Sequence, residues 1–580
     1  MPVSPAVVAI VGGGPRGVIV LGRLLARLTA GGAGESPRRP VRIHLIDPFD
    51  NGRVWPADLP EYLLMNSRTR DVTLFSDAAM PDLPAVAGGM DFLTWLAGRA
   101  GEDPPGPAGF ATRAAFGRHL AWARTHLAAL PAPGVEVVSH RARVVDLVDA
   151  PHGTKRRLSL VTAAGATDAL DADAVVLATG HHEAATTHRR AGPTGAFFAP
   201  PHMIGELDLD PLGPGRRVAV LGAGLNCFDL VAALTEGRGG RFEADAAGTL
   251  HYRPGGAEPL LFVGSRRGVP HLSRAREPLP ARPRHCTEDA LRNLLARSRP
   301  LDFRAEVWPL IERDLVAAHA DAGGGPLDID RVLHPLAPGA APAEFGSADA
   351  LTAWMADFLA ADAAESVARP RGPMRAVGEM LSALAPAVRT LVAAGRIDGR
   401  SYVRDVEGWF NGIVAHLSSG PPVVRFEQLG ALVRAGLVRF VGGRVRLFDD
   451  GPGFGVECPN LGTTLHFDAV VEARLFAPDA RRPGDPLTAA LVRAGRARPL
   501  RLPAAHGPAV PTAALDVTRD DLCLLGAGGA ADERVFALGV PLEGVHWLTA
   551  ALPVAHREDP SLRGADRVAV AVLRRLGLAP

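Results

Sequence analysis

Residues 7–11 form an unbroken, β-rich apolar run, and Gly12-Gly13-Gly14-Pro15-Arg16-Gly17 follows at once, leading into a helical pattern that lasts to Leu28. No other feature restricts the fold as much. A buried strand, a glycine turn and a helix in that order open a βαβ unit. Gly12 permits the tight turn, Gly14 lets backbone approach a pyrophosphate, and Gly17 lets the helix pack closely on the strand. Free N–H groups and the positive end of the helix dipole favour an anion at that helix start. The next strand, residues 41–46, ends at Asp47, the acid such a unit places on a ribose hydroxyl. The Gly/Pro-rich stretch 31–40 accounts for the long spacing from Gly17 to Asp47.

A second unit opens at residues 217–221, with the turn Gly222-Ala223-Gly224, a helix over 225–235 and a strand over 260–264. Cys227 stands where the third glycine would be, so helix and strand are expected slightly further apart. Ser265-Arg266-Arg267 follows the second strand, where enzymes that use NADP often carry Arg for the 2′-phosphate. The pair predicts NADPH over NADH. Two dinucleotide units in one chain have a direct chemical reading: one holds a flavin, and the other holds the nicotinamide that reduces it by hydride transfer.

The expected class is α/β, with two Rossmann-like dinucleotide-binding domains and a mostly helical insert. Residues 1–200 are read as the first part of an FAD-binding domain and 201–289 as an NADPH-binding domain. Residues 290–437 are read as a helical insert on the substrate side, and 438–580 as the C-terminal part of the FAD-binding domain. The 63 basic and 62 acidic residues leave a net charge of +1, so no overall field gathers nucleic acid or an anionic membrane. Neither is expected as a partner. The N-terminus lacks a basic region before its apolar run, and no apolar stretch reaches the roughly 20 residues a bilayer requires. A soluble, cytoplasmic protein is expected. The four cysteines include no C-x-x-C pair and no Cys/His cluster at zinc spacing, which argues against a disulfide reductase and predicts no metal.

Several motifs extend along most of the chain. They are Gly52-Arg53-Val54-Trp55, Leu63-Leu64-Met65-Asn66-Ser67 with Val72-Thr73-Leu74-Phe75, Thr112-Arg113, Leu177-Ala178-Thr179-Gly180-His181, Gly264-Ser265-Arg266-Arg267-Gly268 and Phe536-Ala537-Leu538-Gly539-Val540-Pro541-Leu542-Glu543-Gly544. Their order resembles the two-dinucleotide-domain flavoprotein monooxygenases, FAD/NAD(P)-binding and N-monooxygenase-like. Within them it resembles an actinobacterial branch that includes nitrosuccinate-forming aspartate N-monooxygenases. The resemblance implies that Trp55, Met65 and Asn66 line the flavin ring and that Arg113 contacts FAD. It also implies that Thr179 and Gly180 link the flavin and nicotinamide domains, and that the stretch from Gly539 to Gly544 closes over the flavin.

The same resemblance implies a reaction. NADPH reduces FAD, O2 gives a C4a-hydroperoxyflavin, and an unprotonated amine takes oxygen from it, with L-aspartate to nitrosuccinate as the sharpest case. Such a site needs dryness, help in deprotonating an ammonium, and cations for two carboxylates. Arg274, Arg276 and Arg425 are the candidate cations, because Arg grips a carboxylate bidentately. His271, and beside it His181, are candidate proton relays. The F-x-G-x-x-x-H-x-x-x-W pattern of Baeyer–Villiger enzymes is absent from residues 191–215. Two alternatives stay open: a flavin-dependent monooxygenase or oxidase acting on another natural-product substrate, and a non-catalytic flavin-binding redox sensor. The sequence carries no sign of oligomeric state.

Overall fold

The computed structural model describes residues 4–30, 39–99, 109–130, 132–151, 153–182, 196–275, 277, 279–336, 345, 347–368, 371–450 and 453–578. The loop 31–40 therefore lies mostly outside the described residues, as does Arg276.

Six strands make the first sheet, in the spatial order Cys523–Leu525, Ala531–Ala537, Ala174–Leu177, Ala6–Val11, Val41–Ile46 and Val135–His140. All pair in parallel except the edge strand Cys523–Leu525. Val8, Ile10, Ile43, Val175, Val176 and Val535 are fully buried, as a parallel sheet covered on both faces requires. The C-terminal strand Ala531–Ala537 enters beside Ala174–Leu177, so the first domain is built from both chain ends. A buried ion cluster fixes that closure. Asp566 on the last helix, Pro560–Arg575, accepts from Arg23 at 2.9 and 3.0 Å and pairs with Arg27 at 2.6 Å, both on the first helix, Pro15–Thr29.

A second sheet of five parallel strands runs Val438–Gly443, Leu260–Ser265, Arg217–Leu221, Ala469–Val471, Phe197–Ala199. This corrects the expected division of the chain. Residues 197–199 and 438–471 were assigned to the flavin unit, yet the strands Phe197–Ala199, Val438–Gly443 and Ala469–Val471 join the sheet of the second glycine turn, and the strands between residues 446 and 467 form a separate antiparallel sheet. The reason is that a short apolar strand such as Ala469–Val471 does not encode which sheet edge it joins; the open edges of Arg217–Leu221 and Leu260–Ser265 take both returning segments.

The region between them is mostly helical, as expected, from Glu288–Leu295 to Val423–Arg434. Within it Tyr402–Phe410 is a nine-residue π-helix, a widened turn that is often found at functional sites. Among the described residues one helix, Pro373–Ala393, is long and apolar enough by length and composition to cross a membrane. Half of it is buried inside the protein, and it carries Arg375, Glu379 and Arg389.

Candidate active site

The first glycine turn is shaped as a cradle. Gly12 has φ +113°, and a Cβ there would lie 2.2 Å from the Ala178 carbonyl oxygen and 3.2 Å from the Thr179 amide nitrogen. Strand end 178–180 and turn therefore touch directly. Gly14 caps the first helix without any side-chain partner for the helix amides, and a Cβ on it would meet nothing within 4 Å. Open space thus faces unsatisfied N–H groups. Arg16, inside the turn, is half-buried; its Nη2 donates to the carbonyls of Thr549 and Ala551, while the buried Nη1 has no partner among the described residues. A cation with a buried, unpartnered nitrogen at a helix start fits a pyrophosphate. Burial pulls the Arg16 guanidinium down to about 10, so it stays charged near neutral pH.

Asp47 accepts from the Gly13 amide at 2.6 Å and the Phe49 amide at 2.8 Å. Burial raises its carboxyl, and those two hydrogen bonds oppose the shift. It thus braces the first glycine turn. Gly539 lies against Arg16, a Cβ there falling 3.2 Å from Cγ. A cavity of about 190 Å³ follows these residues past Thr179, Gly180 and His182, and Trp55, His181, Val540 and Thr549 line both it and a larger cavity of about 1640 Å³.

The larger cavity reaches the second turn at Leu225 and Asn226. There Gly222 has φ +127° and approaches the Ala473 carbonyl, and a Cβ on Gly224 would sit 3.1 Å from the His271 ring. His271 therefore packs on the second glycine turn and lines neither cavity. Burial, with Arg267 nearby, lowers its imidazole to about 4, leaving it neutral. Cys227 fills the third-glycine position as a buried thiol pushed up to about 12 by burial, hence inert.

The arginine pair behind the second strand divides. Ser265 Oγ accepts from the Gly268 amide at 2.9 Å and holds the loop. Arg266 is exposed, whereas Arg267 is buried and donates to the Leu333 carbonyl at 2.9 Å. Both were expected on the 2′-phosphate; Arg266, exposed and held only by a long contact to the Gly408 carbonyl at 3.4 Å, is the one that can reach a ligand from the surface. Arg266→Ala is accordingly expected to weaken NADP⁺ binding about tenfold, with NADH changing less than about twofold, in fluorescence titrations of the FAD-loaded protein. Equal losses for both nucleotides would assign the 2′-phosphate to other residues.

The remaining candidates separate by their partners. Trp55 lines both cavities and meets Phe116 edge-on at 4.7 Å. Asn66 lines the larger one and donates to the Ser419 carbonyl at 3.3 Å. Met65 does not line it: the side chain is in the hydrophobic core and its amide is bonded to Ala111. Arg113 lines the larger cavity and pairs with buried Asp229, on the helix after the second glycine turn, at 2.6 Å. Arg425 is also spent, donating to Glu236 at 2.7 Å, to Gln428 Oε1 at 2.6 Å and to the Tyr62 carbonyl.

Arg274 is different. It lines the larger cavity, and its guanidinium makes no hydrogen bond or ion pair among the described residues, with Nε buried. Burial, reinforced by Arg68, lowers it to about 10, and Asp71 opposes the shift. Arg68 and Arg375, also on the wall, are engaged by the Ala275 carbonyl and by Ser273 and Asp362, respectively. Val540 and Glu543 also line this cavity; Glu543 accepts from the Leu548 and Thr549 amides and the Thr549 hydroxyl. Arg16 was not among the expected site residues, though its place within the glycine turn was the signal for it. Gly52, known from the sequence only as part of a motif, packs against that turn, a Cβ on it coming within 2.8 Å of Gly14 Cα.

Comparison with known proteins gives the following. The FAD-NAD(P)-binding family matches residues 9–182. The chain is similar to an L-aspartate N-monooxygenase (nitrosuccinate-forming) of Streptomyces cremeus, 34% identical, the alignment covering 99% of this chain and 95% of that one. It is similar to a nitrosuccinic acid synthase of Aspergillus oryzae, 32% identical over 98% of this chain and 92% of the other. An ornithine hydroxylase structure from Pseudomonas aeruginosa aligns over 99% of both chains at 13% identity with a TM-score of 0.45.

Proposed function

The chain belongs to the family of the nitrosuccinate-forming L-aspartate N-monooxygenases, and on that footing we propose that it oxidises the amino group of L-aspartate stepwise to the nitro group of nitrosuccinate, with FAD, NADPH and O2. The observation that carries this reading is similarity along the whole chain, 34% identity across 99% of its length. Two adjoining cavities support it, because a nicotinamide and a flavin must meet at one place with the substrate: the smaller follows the first glycine turn, the larger reaches Leu225 and Asn226 at the second, and Trp55, His181, Val540 and Thr549 line both.

When bound and reduced, the flavin supplies activation of O2 and transfer of oxygen to a nucleophilic nitrogen. The protein's part is to bind, orient and exclude water. Arg16 and the amides of helix Pro15–Thr29 would neutralise the flavin nucleotide's pyrophosphate, with Gly12, Gly14 and Gly17 setting the approach. Gly222 and Gly224 would do the same for NADPH, with Arg266 on its 2′-phosphate. Arg274 would take a substrate carboxylate, a role that its lack of any other anion supports. Trp55, Asn66, Val540 and Leu548 would wall the reacting centre, where apolar surface keeps water from diverting the oxidant to peroxide. We read the molecule as a cytoplasmic enzyme, with a flavin unit built from both chain ends, a nicotinamide unit within it, and the helical region on the substrate side.

The test is a turnover measurement. Purified yellow protein with NADPH and O2 is expected to consume NADPH faster when L-aspartate is added, and mass spectrometry is expected to find nitrosuccinate. Hydrogen peroxide as the sole product, unchanged by aspartate, would defeat the proposal.

A further inference from the structure

An amine enters such a site mainly as ammonium, which has no lone pair to oxidise, so some group must accept its proton. The carboxylates on the cavity wall can be sorted by what already holds them. Glu206 is bound by Arg53 at 2.6 and 2.7 Å, Glu379 by Arg371, and Asp71 by Arg68 at 3.5 Å and Arg70 at 3.7 Å. Glu543 is saturated by the amides and hydroxyl named above, and Asp58 is exposed at the rim. Glu407 differs from all of these. Among the described residues it has no ion-pair partner, and the nearby Ala513 amide favours its charged form. Burial raises its carboxyl above the ordinary Glu value. Asp479 and Glu543 face it and push the same way; Arg481, itself paired with Asp479 at 2.8 Å, pulls back.

Its place in the chain adds a second, geometric argument. Glu407 sits on the π-helix Tyr402–Phe410, five residues and one widened turn beyond Tyr402. The Tyr402 hydroxyl is buried without a hydrogen-bond partner, and a Cβ on Gly544 would sit 3.2 Å from it. The π-helical turn therefore presses its phenol against the Val540–Gly544 segment while its free carboxylate faces the cavity that this segment also walls.

We propose that Glu407 receives the ammonium group of the substrate and removes its proton. The carboxylate becomes a carboxylic acid and the ammonium a neutral amine with its lone pair free; the proton then leaves to solvent through the cavity. No electrons move in this step. A carboxyl raised by burial narrows the gap to an amine's pKa, which makes the transfer less uphill.

The inference rests on aspartate being the substrate, and succinate separates the two claims, since it has the same two carboxylates and no amine. Calorimetric titration of the FAD-loaded protein compares both ligands in the native chain and in Glu407→Gln. The expected result is an aspartate affinity about tenfold weaker in the variant, a succinate affinity within about twofold, and NADPH oxidation that releases hydrogen peroxide in place of oxidised nitrogen. Retained succinate binding also shows that the variant is folded. Unchanged aspartate affinity, or equal losses for both ligands, would overturn the role of Glu407. A native chain that binds neither ligand would instead overturn the substrate reading beneath it.

Discussion

Gly17→Ala is expected to yield a colourless, destabilised protein. A Cβ on Gly17 would stand 1.8 Å from the Gly12 carbonyl oxygen and 3.0 Å from its carbon, both backbone atoms that no rotamer change can move. The helix Pro15–Thr29 would have to withdraw from the strand Ala6–Val11, taking its free amides out of register with the flavin nucleotide's pyrophosphate. Loss of that packing costs on the order of 3 kcal/mol, and flavin content should fall roughly tenfold or more. Gly14→Ala supplies the contrast. Its Cβ meets no protein atom within 4 Å, so the melting temperature should be unchanged while the methyl occupies the space in front of the helix amides and flavin affinity drops. Absorbance at the flavin band together with thermal unfolding distinguishes the two. Native flavin content in Gly17→Ala would mean that the turn is not the flavin cradle.

That contrast explains what the sequence made legible. Gly12, Gly14, Gly17 and Asp47 work through neighbours within one βαβ unit, and Asp47 touches the Gly13 amide as its position at the strand end implies. Local geometry of this kind is written in local spacing. Arg425 and Met65 do not reach the cavity wall, and Arg113 reaches it already paired, because their places are set by partners remote in sequence: Glu236 and Tyr62 for the first, the core and the Ala111 carbonyl for the second, and Asp229 for the third. A composition rich in arginine hides which cations are spent. Arg266 and Arg267 show the same limit at a separation of one residue, since the loop after the strand Leu260–Ser265 turns one guanidinium outward and the other under the Leu333 carbonyl. Residues 438–471 were misplaced for a related reason, because parallel strands find their neighbours only through the crossovers between them. Glu407 was invisible for a different one: nothing in Tyr402–Phe410 marks a π-helix, and its unpaired state exists only once the cavity wall is assembled.

Arg274→Ala is expected to weaken aspartate binding about a hundredfold and succinate binding by a similar factor, with FAD content and NADP⁺ affinity near those of the native chain. An unpaired, half-buried cation is costly unless an anion compensates it, and among the described residues no carboxylate of the protein pairs with Arg274, Asp71 acting only from a distance. With its guanidinium lowered only to about 10, Arg274 remains a cation through the neutral range, so the site is poised for a carboxylate from outside. Truncating one partner of a buried hydrogen-bonded charge pair costs about 2–5 kcal/mol, which places the loss near two orders of magnitude. Arg274→Lys keeps the charge but not the planar fork, and should recover only part of the affinity. The parallel loss of succinate is the decisive feature: a residue reading the carboxylates treats both ligands alike, whereas Glu407→Gln penalises aspartate alone. Native affinity for both ligands in Arg274→Ala would remove it from the substrate site, and a loss confined to aspartate would place it beside the amine instead of a carboxylate.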